Sequence, residues 1–231
     1  MLHAYTGKDE LRNSELFSRM FRQRYEIYVR RRKWAGLTPI GDQERDEFDT
    51  SAAIYLMALD NDDEILACLR LLPTTRPHIF ANLFPHLAPG GVPVGPEILE
   101  LTRFYIAPSK TAKAVRDWLV GVLCAGMIEY ALAHGITRIT SVIDTFLLKL
   151  MQSMEWRVRP LGSPQRYLEG EAVAVLIEMT PQILESTCRT KGVTGPVLLP
   201  SGFDRRRGPS LPVLAAPIRV PGQPAPAGMA I

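Results

Sequence analysis

From residue 13 to about residue 32 apolar side chains recur at helical spacing. Leu16, Phe17, Met20, Phe21, Ile27 and Tyr28 share one stripe, with Asn13 or Ser14 in place as N-cap. The opposite stripe carries Arg19, Arg22, Arg30, Arg31, Arg32 and Lys33, which reads either as a solvated face or as a docking surface for an acidic partner. Residues 35–50 lose all periodicity and form a polar loop. Two apolar runs, 52–59 and 65–72, then flank Asp60-Asn61-Asp62-Asp63, turn chemistry that predicts a β-hairpin ended by Pro73. A short helix near 80–84 leads into a Pro/Gly-rich loop, and 97–106 reads as a strand stopped by Pro108. Thr111 stands where it would cap a long helix running to about His134, with Gly135 as its stop. Beyond it, 138–143, 156–161 and 172–179 are strand-like, while 146–154 and 181–188 are helical. Strands with interposed helices predict an α/β domain, a mixed central sheet flanked by helices.

From Pro200 the pattern ends. Prolines, the run Arg205–Arg206–Arg207 and short Ala/Val stretches show no period, so the chain divides into a domain over 1–195 and a disordered or loosely attached tail over 200–231.

Composition narrows the class. A chain of 231 residues, 46% hydrophobic and 22% charged, is long enough for one well-buried core. A net charge of +3 gives no support for nucleic-acid binding. Cys68, Cys124 and Cys188 are widely spaced without a CxxC pair, reading as small buried hydrophobes in a reducing compartment. The N-terminus lacks an apolar signal region, and no apolar run approaches the roughly 18 residues of a membrane span. A cytoplasmic, soluble protein is expected.

Familiar catalytic equipment is missing. There is no phosphate-binding loop, no dinucleotide fingerprint and no GxSxG elbow. His3, His78, His86 and His134 do not combine at metal-ligand spacing, so no metal is expected. Two concentrations of charge beside aromatics are present instead. One holds Arg24, Tyr28, Trp34, Asp46 and Asp49; the other is Glu100-Leu101-Thr102-Arg103-Phe104. In the second, Glu100 lies inside a strand-like run that is at least half buried, and a carboxylate there needs a partner or a purpose.

The ordered pattern Arg24-x3-Tyr28-x5-Trp34, Glu44-x-Asp46-Glu47-Phe48-Asp49, Arg70-Leu71-Leu72-Pro73-Thr74-Thr75, Phe84 and Glu100-Leu101-Thr102-Arg103-Phe104 resembles the LuxI-type acyl-homoserine lactone synthases. The resemblance extends from about Tyr5 to Thr190. It implies a fold like that of the GNAT N-acyltransferases, with a splayed acyl-binding cleft between neighbouring strands. The implied activity is N-acylation of S-adenosylmethionine by an acyl thioester, followed by lactonisation that releases methylthioadenosine and yields a quorum-sensing signal. The donor would be acyl carrier protein or acyl-coenzyme A, and no cofactor beyond the adenosylmethionine substrate is implied.

Carried over residue by residue, the resemblance makes Arg24, Asp46, Asp49 and Arg70 an ion-pair network around the adenosylmethionine, whose ammonium, carboxylate and sulfonium call for charged neighbours. Trp34 would offer a flat face to the adenine or sulfonium, and Phe84 would close the pocket. Tyr28 departs from the Phe more usual in the family, so its hydroxyl needs a partner or water. Glu100 is the candidate general base, with Thr102 and Arg103 beside it. Strict alternation puts Glu100 and Thr102 on one face of the strand and Arg103 on the other, so a shared site requires a β-bulge here. Otherwise Glu100 and Arg103 would form an interior salt bridge.

Residues 119–127 and 141–154 would line the acyl pocket, with Ser141 at a position that tends to bear a hydroxyl in relatives using 3-oxoacyl donors. Lys149, Arg157 and Arg159, with the basic face of the first helix, are candidates for docking a carrier protein. The segment 107–113 lacks the glycine-rich pyrophosphate turn of the wider GNAT pattern, which favours a carrier-protein donor. Two other readings stay open: an N-acyltransferase for a different amine, and an inactive relative that binds a ligand or partner.

Overall fold

The computed structural model describes residues 1–34, 36–108, 112–167 and 170–199. Eight strands form one mixed sheet in the order β1-β2-β3-β4-β5-β8-β6, with β7 also paired to β8. They are β1 (Leu2–Thr6), β2 (Ile54–Leu59), β3 (Ile65–Pro73), β4 (Ile98–Ile106), β5 (Arg138–Asp144), β6 (Val158–Pro160), β7 (Gln165–Tyr167) and β8 (Gly170–Glu178). Among the strands described, β1 to β4 pair antiparallel in succession, as do β5, β6 and β7 with β8; only the β4–β5 pairing is parallel.

One face of the sheet packs on α3 (Lys113–Ala133) and α5 (Pro181–Lys191), burying Leu99, Leu101, Ile139 and Val175 against Leu119, Leu123 and Met127. The other face is covered by α1 (Ser14–Arg24), which buries Phe17, Met20 and Phe21 on Tyr55, Met57 and Cys68. Alternation along the strands accounts for both cores: even and odd positions feed opposite layers. On the same side as α1, α2 (Ile79–Leu83) sets Phe80 against Ala174. The remaining helix, α4 (Leu147–Ser153), follows β5.

The long first helix expected to run to about residue 32 is α-helical only to Arg24; Tyr25–Arg31 continues it as a π turn. The wider turn is closed by the Arg32 amide donating to the Ile27 carbonyl at 2.9 Å. Its basic face is largely neutralised by neighbours. Arg22 meets Asp42 at 3.0 Å, Arg19 meets Glu64 at 3.5 Å, and Arg30 and Arg31 both turn back to Glu26.

β1 and β7 have no counterpart in the periodicity. Leu2–Thr6 is too short and mixed to show alternation, and it becomes a strand by pairing along β2. Its other edge is covered by the C-terminal segment: the Leu2 amide donates to Val197 O at 3.0 Å, and the Leu199 amide to Leu2 O at 2.9 Å. The Glu129 carboxylate of α3 accepts the Val197 and Leu198 amides, so packed structure continues to Leu199. The proposed cap Thr111 and the tail 200–231 lie outside the described residues.

The parallel β4–β5 ladder holds three pairs, Ile98–Arg138, Leu99–Ile139 and Glu100–Thr140. Past them β4 stays with β3 and β5 with β8, so the sheet forks between Leu101 and Ser141.

Candidate functional site

β4 carries the irregularity that its sequence requires. Cys68 pairs with Tyr105 and Arg70 with Thr102, so a single residue of β3 faces both Arg103 and Phe104. Arg103 absorbs the extra residue with φ of +50°, left-handed backbone that costs a non-glycine residue about 1–2 kcal/mol. The bulge brings the Arg103 guanidinium onto the same side as Thr102. There Arg103 Nε and Nη2 donate to the two Glu44 oxygens at 3.0 and 2.8 Å, and Nη2 also reaches Asp46 at 2.9 Å.

Three guanidiniums and three carboxylates interlock at this point. Arg24, from the last turn of α1, donates to Glu44 at 2.6 Å and to both oxygens of Asp49 at 2.7 and 3.0 Å. Arg70, on β3, forms a fork with Asp46 at 2.7 and 2.8 Å, touches Asp49 at 2.5 Å, and gives its Nε to Thr102 Oγ1 at 3.0 Å. Tyr55 adds a hydroxyl donor to Asp49 at 2.8 Å. The loop that carries the acids is fixed by its own turns, with the Asp46 amide donating to Asp49 and the Phe48 amide to Asp46.

Burial works against the charges of Glu44, Asp49, Arg24 and Arg70, but the pairing outweighs it. Glu44 is pulled down to about 2 by Arg103 and Arg24, and Asp49 is held well below the carboxylate range by Arg70 and Arg24. Arg24 and Arg70 are both raised by the acids around them. Pairs of this kind are costly to break singly, because each removal leaves a buried charge.

Beside the cluster, Tyr28 and Trp34 stack with ring centres 4.6 Å apart. The π turn contributes Tyr28, and the Trp34 amide donates back to the Tyr28 carbonyl at 3.0 Å. The extra hydroxyl of Tyr28 does have a partner: it donates to the Phe104 carbonyl at 3.1 Å. Arg103 lies 5.4 Å from the Tyr28 ring centre and 6.0 Å from that of Trp34, within cation–π range.

Glu100 is set differently. Its Oε1 accepts the Phe80 amide at the start of α2 at 2.9 Å, while Oε2 is buried with no partner among the described residues. Burial pushes its carboxyl up to about 7, against the lowering effect of the Phe80 amide and Arg70. The interior salt bridge to Arg103 does not form; Arg103 is taken by Glu44 and Asp46.

The structure thus joins Arg24, Asp46, Asp49, Arg70, Thr102 and Arg103 in one network bordered by Tyr28 and Trp34, with Glu100 on the Thr102 side of β4. Two expected residues stand apart. Phe84 ends α2 and is 37% exposed, its ring 6.4 Å from His86. Ser141 alternates with Ile139 and Ile143 on the α3 face, and its hydroxyl donates to the Leu101 carbonyl at 2.8 Å at the fork. Two members of the network, Glu44 and Tyr55, are given no role by the sequence pattern. Glu44 was visible in the motif as a third acid spaced two residues from Asp46, and Tyr55 carried no signal beyond its place in an apolar strand. No group of His, Cys, Asp and Glu among the described residues could hold a metal ion, and no described helix is long and apolar enough to cross a membrane.

Comparison with known proteins gives this geometry a family. Residues 8–185 match the autoinducer synthase family. An acyl-homoserine-lactone synthase of Ralstonia nicotianae is 32% identical over 181 residues, 77% of this chain and 87% of that protein. The solved structure of a CoA-dependent acyl-homoserine lactone synthase, MesI, superposes with a TM-score of 0.78 at 34% identity, over 86% of this chain and 98% of that one. Another CoA-dependent synthase, BjaI, solved with SAM and isopentyl-CoA, also gives 0.78, at 27% identity over 86% and 92%. A putative N-acetyltransferase from Lactobacillus plantarum, 13% identical with a TM-score of 0.50 over 78% and 99%, shares the fold alone. The chain belongs to the autoinducer synthase family, and is an acyltransferase of the acyl-homoserine lactone synthase kind on a GNAT-like fold.

Proposed function

We propose that this chain makes an N-acyl-homoserine lactone from S-adenosylmethionine and an acyl thioester, with Glu100 as the general base. The observation that carries the reading is the Glu100 carboxyl, buried, raised to about 7 and with one oxygen unpartnered among the described residues, next to a charge network that closes on itself. A carboxyl titrating near neutrality can take a proton from the substrate ammonium and hand it on. The freed amine attacks the thioester carbonyl, the amide forms, and the thiol leaves. The substrate carboxylate then attacks its own γ-carbon, the carbon–sulfur bond breaks, and the sulfonium departs as neutral methylthioadenosine. Sulfonium and carboxylate charges cancel in this second step, so it needs geometry more than a further catalyst.

Arg24, Arg70, Glu44, Asp46 and Asp49 would hold the walls of the amino-acid pocket, and Tyr28 and Trp34 an aromatic side. The acyl chain would enter the fork past Glu100 and Thr140, beside Leu119, Cys124 and Met127 of α3. Similarity to two CoA-dependent synthases favours coenzyme A as carrier, whereas the missing glycine-rich turn favours a carrier protein. Arg138, Arg157 and Arg159 line an open groove near β6 and β8 that either acidic donor could use.

The test is a purified reaction with S-adenosylmethionine and matched acyl groups on coenzyme A and on carrier protein, read by mass spectrometry. Acyl-homoserine lactone and methylthioadenosine in equal amounts support the proposal. Acylation of another amine, with adenosylmethionine inert, would overturn it.

A further inference from the structure

The charge count of the network raises a question about the substrate's carboxylate. Arg24, Arg70 and Arg103 are matched one for one by Glu44, Asp46 and Asp49. A carboxylate entering that cluster would set four anions against three cations. The proposed substrate also brings an ammonium, which Glu100 would face, and a sulfonium suited to an aromatic surface. Its carboxylate is therefore the one charged group without an opposite charge inside the cluster.

Arg32 supplies that charge from outside. Its guanidinium lies 5.7 Å from the ring centre of Tyr28 and 5.5 Å from that of Trp34, against the same stacked pair that Arg103 borders. Its neighbours Arg30 and Arg31 are taken by Glu26, and Arg19 and Arg22 by Glu64 and Asp42. Arg32 makes no salt bridge with any described residue. An arginine laid on aromatic rings loses little further freedom on binding an anion, and its planar fork fits a carboxylate.

We propose that Arg32 binds the α-carboxylate of the sulfonium amino-acid substrate, holding it at the aromatic side of the pocket. The inference rests on the proposed adenosylmethionine specificity and extends it. It predicts that Arg32 reads the amino-acid end of the ligand and not the nucleoside.

Titration calorimetry on the full chain with three ligands separates the possibilities: S-adenosylmethionine, its decarboxylated analogue, and methylthioadenosine. For Arg32→Ala, the dissociation constant of S-adenosylmethionine should rise about tenfold, the scale of one charge-assisted contact. Binding of the decarboxylated analogue and of methylthioadenosine should stay within about twofold of wild type. Arg32→Lys, which keeps the charge but not the fork, should fall between. Equal weakening of all three ligands would mean that Arg32 merely supports the Tyr28–Trp34 stack, and unchanged binding of S-adenosylmethionine would remove it from the site; either result overturns the assignment. A wild-type protein that binds none of the three overturns the substrate reading itself, and this inference with it.

Discussion

The amide of Phe80 donates to Oε1 of Glu100 at 2.9 Å, and the other oxygen of that carboxylate is buried with no partner among the described residues. One oxygen is thus oriented by the first turn of α2 while its twin keeps a lone pair available. Glu100→Gln preserves the shape and can keep the acceptor facing Phe80, but cannot take a proton. Turnover should fall by about 10²–10⁴, the usual contribution of a positioned base, with adenosylmethionine binding within a few-fold of wild type. Stopped turnover with intact binding is the expected pair of results from single-turnover kinetics and calorimetry. Full turnover in this variant would remove Glu100 from the chemistry.

The elevated Glu100 carboxyl also fixes a direction on the pH axis. Its ordinary value of 4.5 is raised to about 7 by burial, with Arg70 lowering and Asp46 raising it from the same side. Below that value the base is protonated and idle; above it the base is free. The rate should therefore climb with unit slope through about pH 7 and level off on the alkaline side. The same shift acts oppositely on folding: a raised carboxyl favours the folded state below its unfolded value, and that contribution is lost as pH rises through about 7. Glu100→Gln should abolish the acid limb of any residual rate while removing that alkaline loss.

Much of this architecture could be read from the chain, and the exceptions have physical causes. The hairpin of β2 and β3, the long α3 and the strands around the fork follow from apolar period and turn residues. β1 escaped because Leu-His-Ala-Tyr-Thr shows no alternation and owes its strand to β2 and Val197–Leu199. The π turn escaped because its apolar stripe is indistinguishable from that of an α-helix over two turns. At the site, the need for a bulge was legible, since alternation alone would have sent Arg103 to the wrong face. The partnership of Glu44 was not: which acid meets which guanidinium depends on how 36–53 folds over the sheet, and no local pattern encodes that.

The bulge separates two contributions of Arg103, its side chain and its backbone. Arg103→Ala removes the bonds to Glu44 and Asp46 but keeps a Cβ at φ of +50°. Arg103→Gly removes the same bonds and relaxes the left-handed backbone. Both variants should lose most activity, yet the glycine form should be the more stable of the two by about 1 kcal/mol. Urea denaturation of the pair tests this, and an alanine form at least as stable as the glycine form would show that the backbone there carries no strain.

Glu44 should carry much of the protein's acid sensitivity. It is 1% exposed and bridges Arg24 and Arg103, which hold it at about 2 against an ordinary 4.5 despite burial. A lowered carboxyl stabilises the folded state above its unfolded value, and that contribution disappears as pH falls through the folded one. The window is therefore about pH 4.5 down to 2, with a stake on the order of 3 kcal/mol. Glu44→Gln cannot titrate, and at neutral pH it strands two guanidiniums with one charge too few, a loss of about 3–5 kcal/mol. Its stability should change less than that of wild type between pH 5 and 3. Chemical denaturation at pH 7, 5 and 3 should show the two curves converging on the acid side. Parallel curves would place the acid sensitivity on Asp49, which Arg24 and Arg70 also hold low, and would make Glu44 only a spacer between its two arginines.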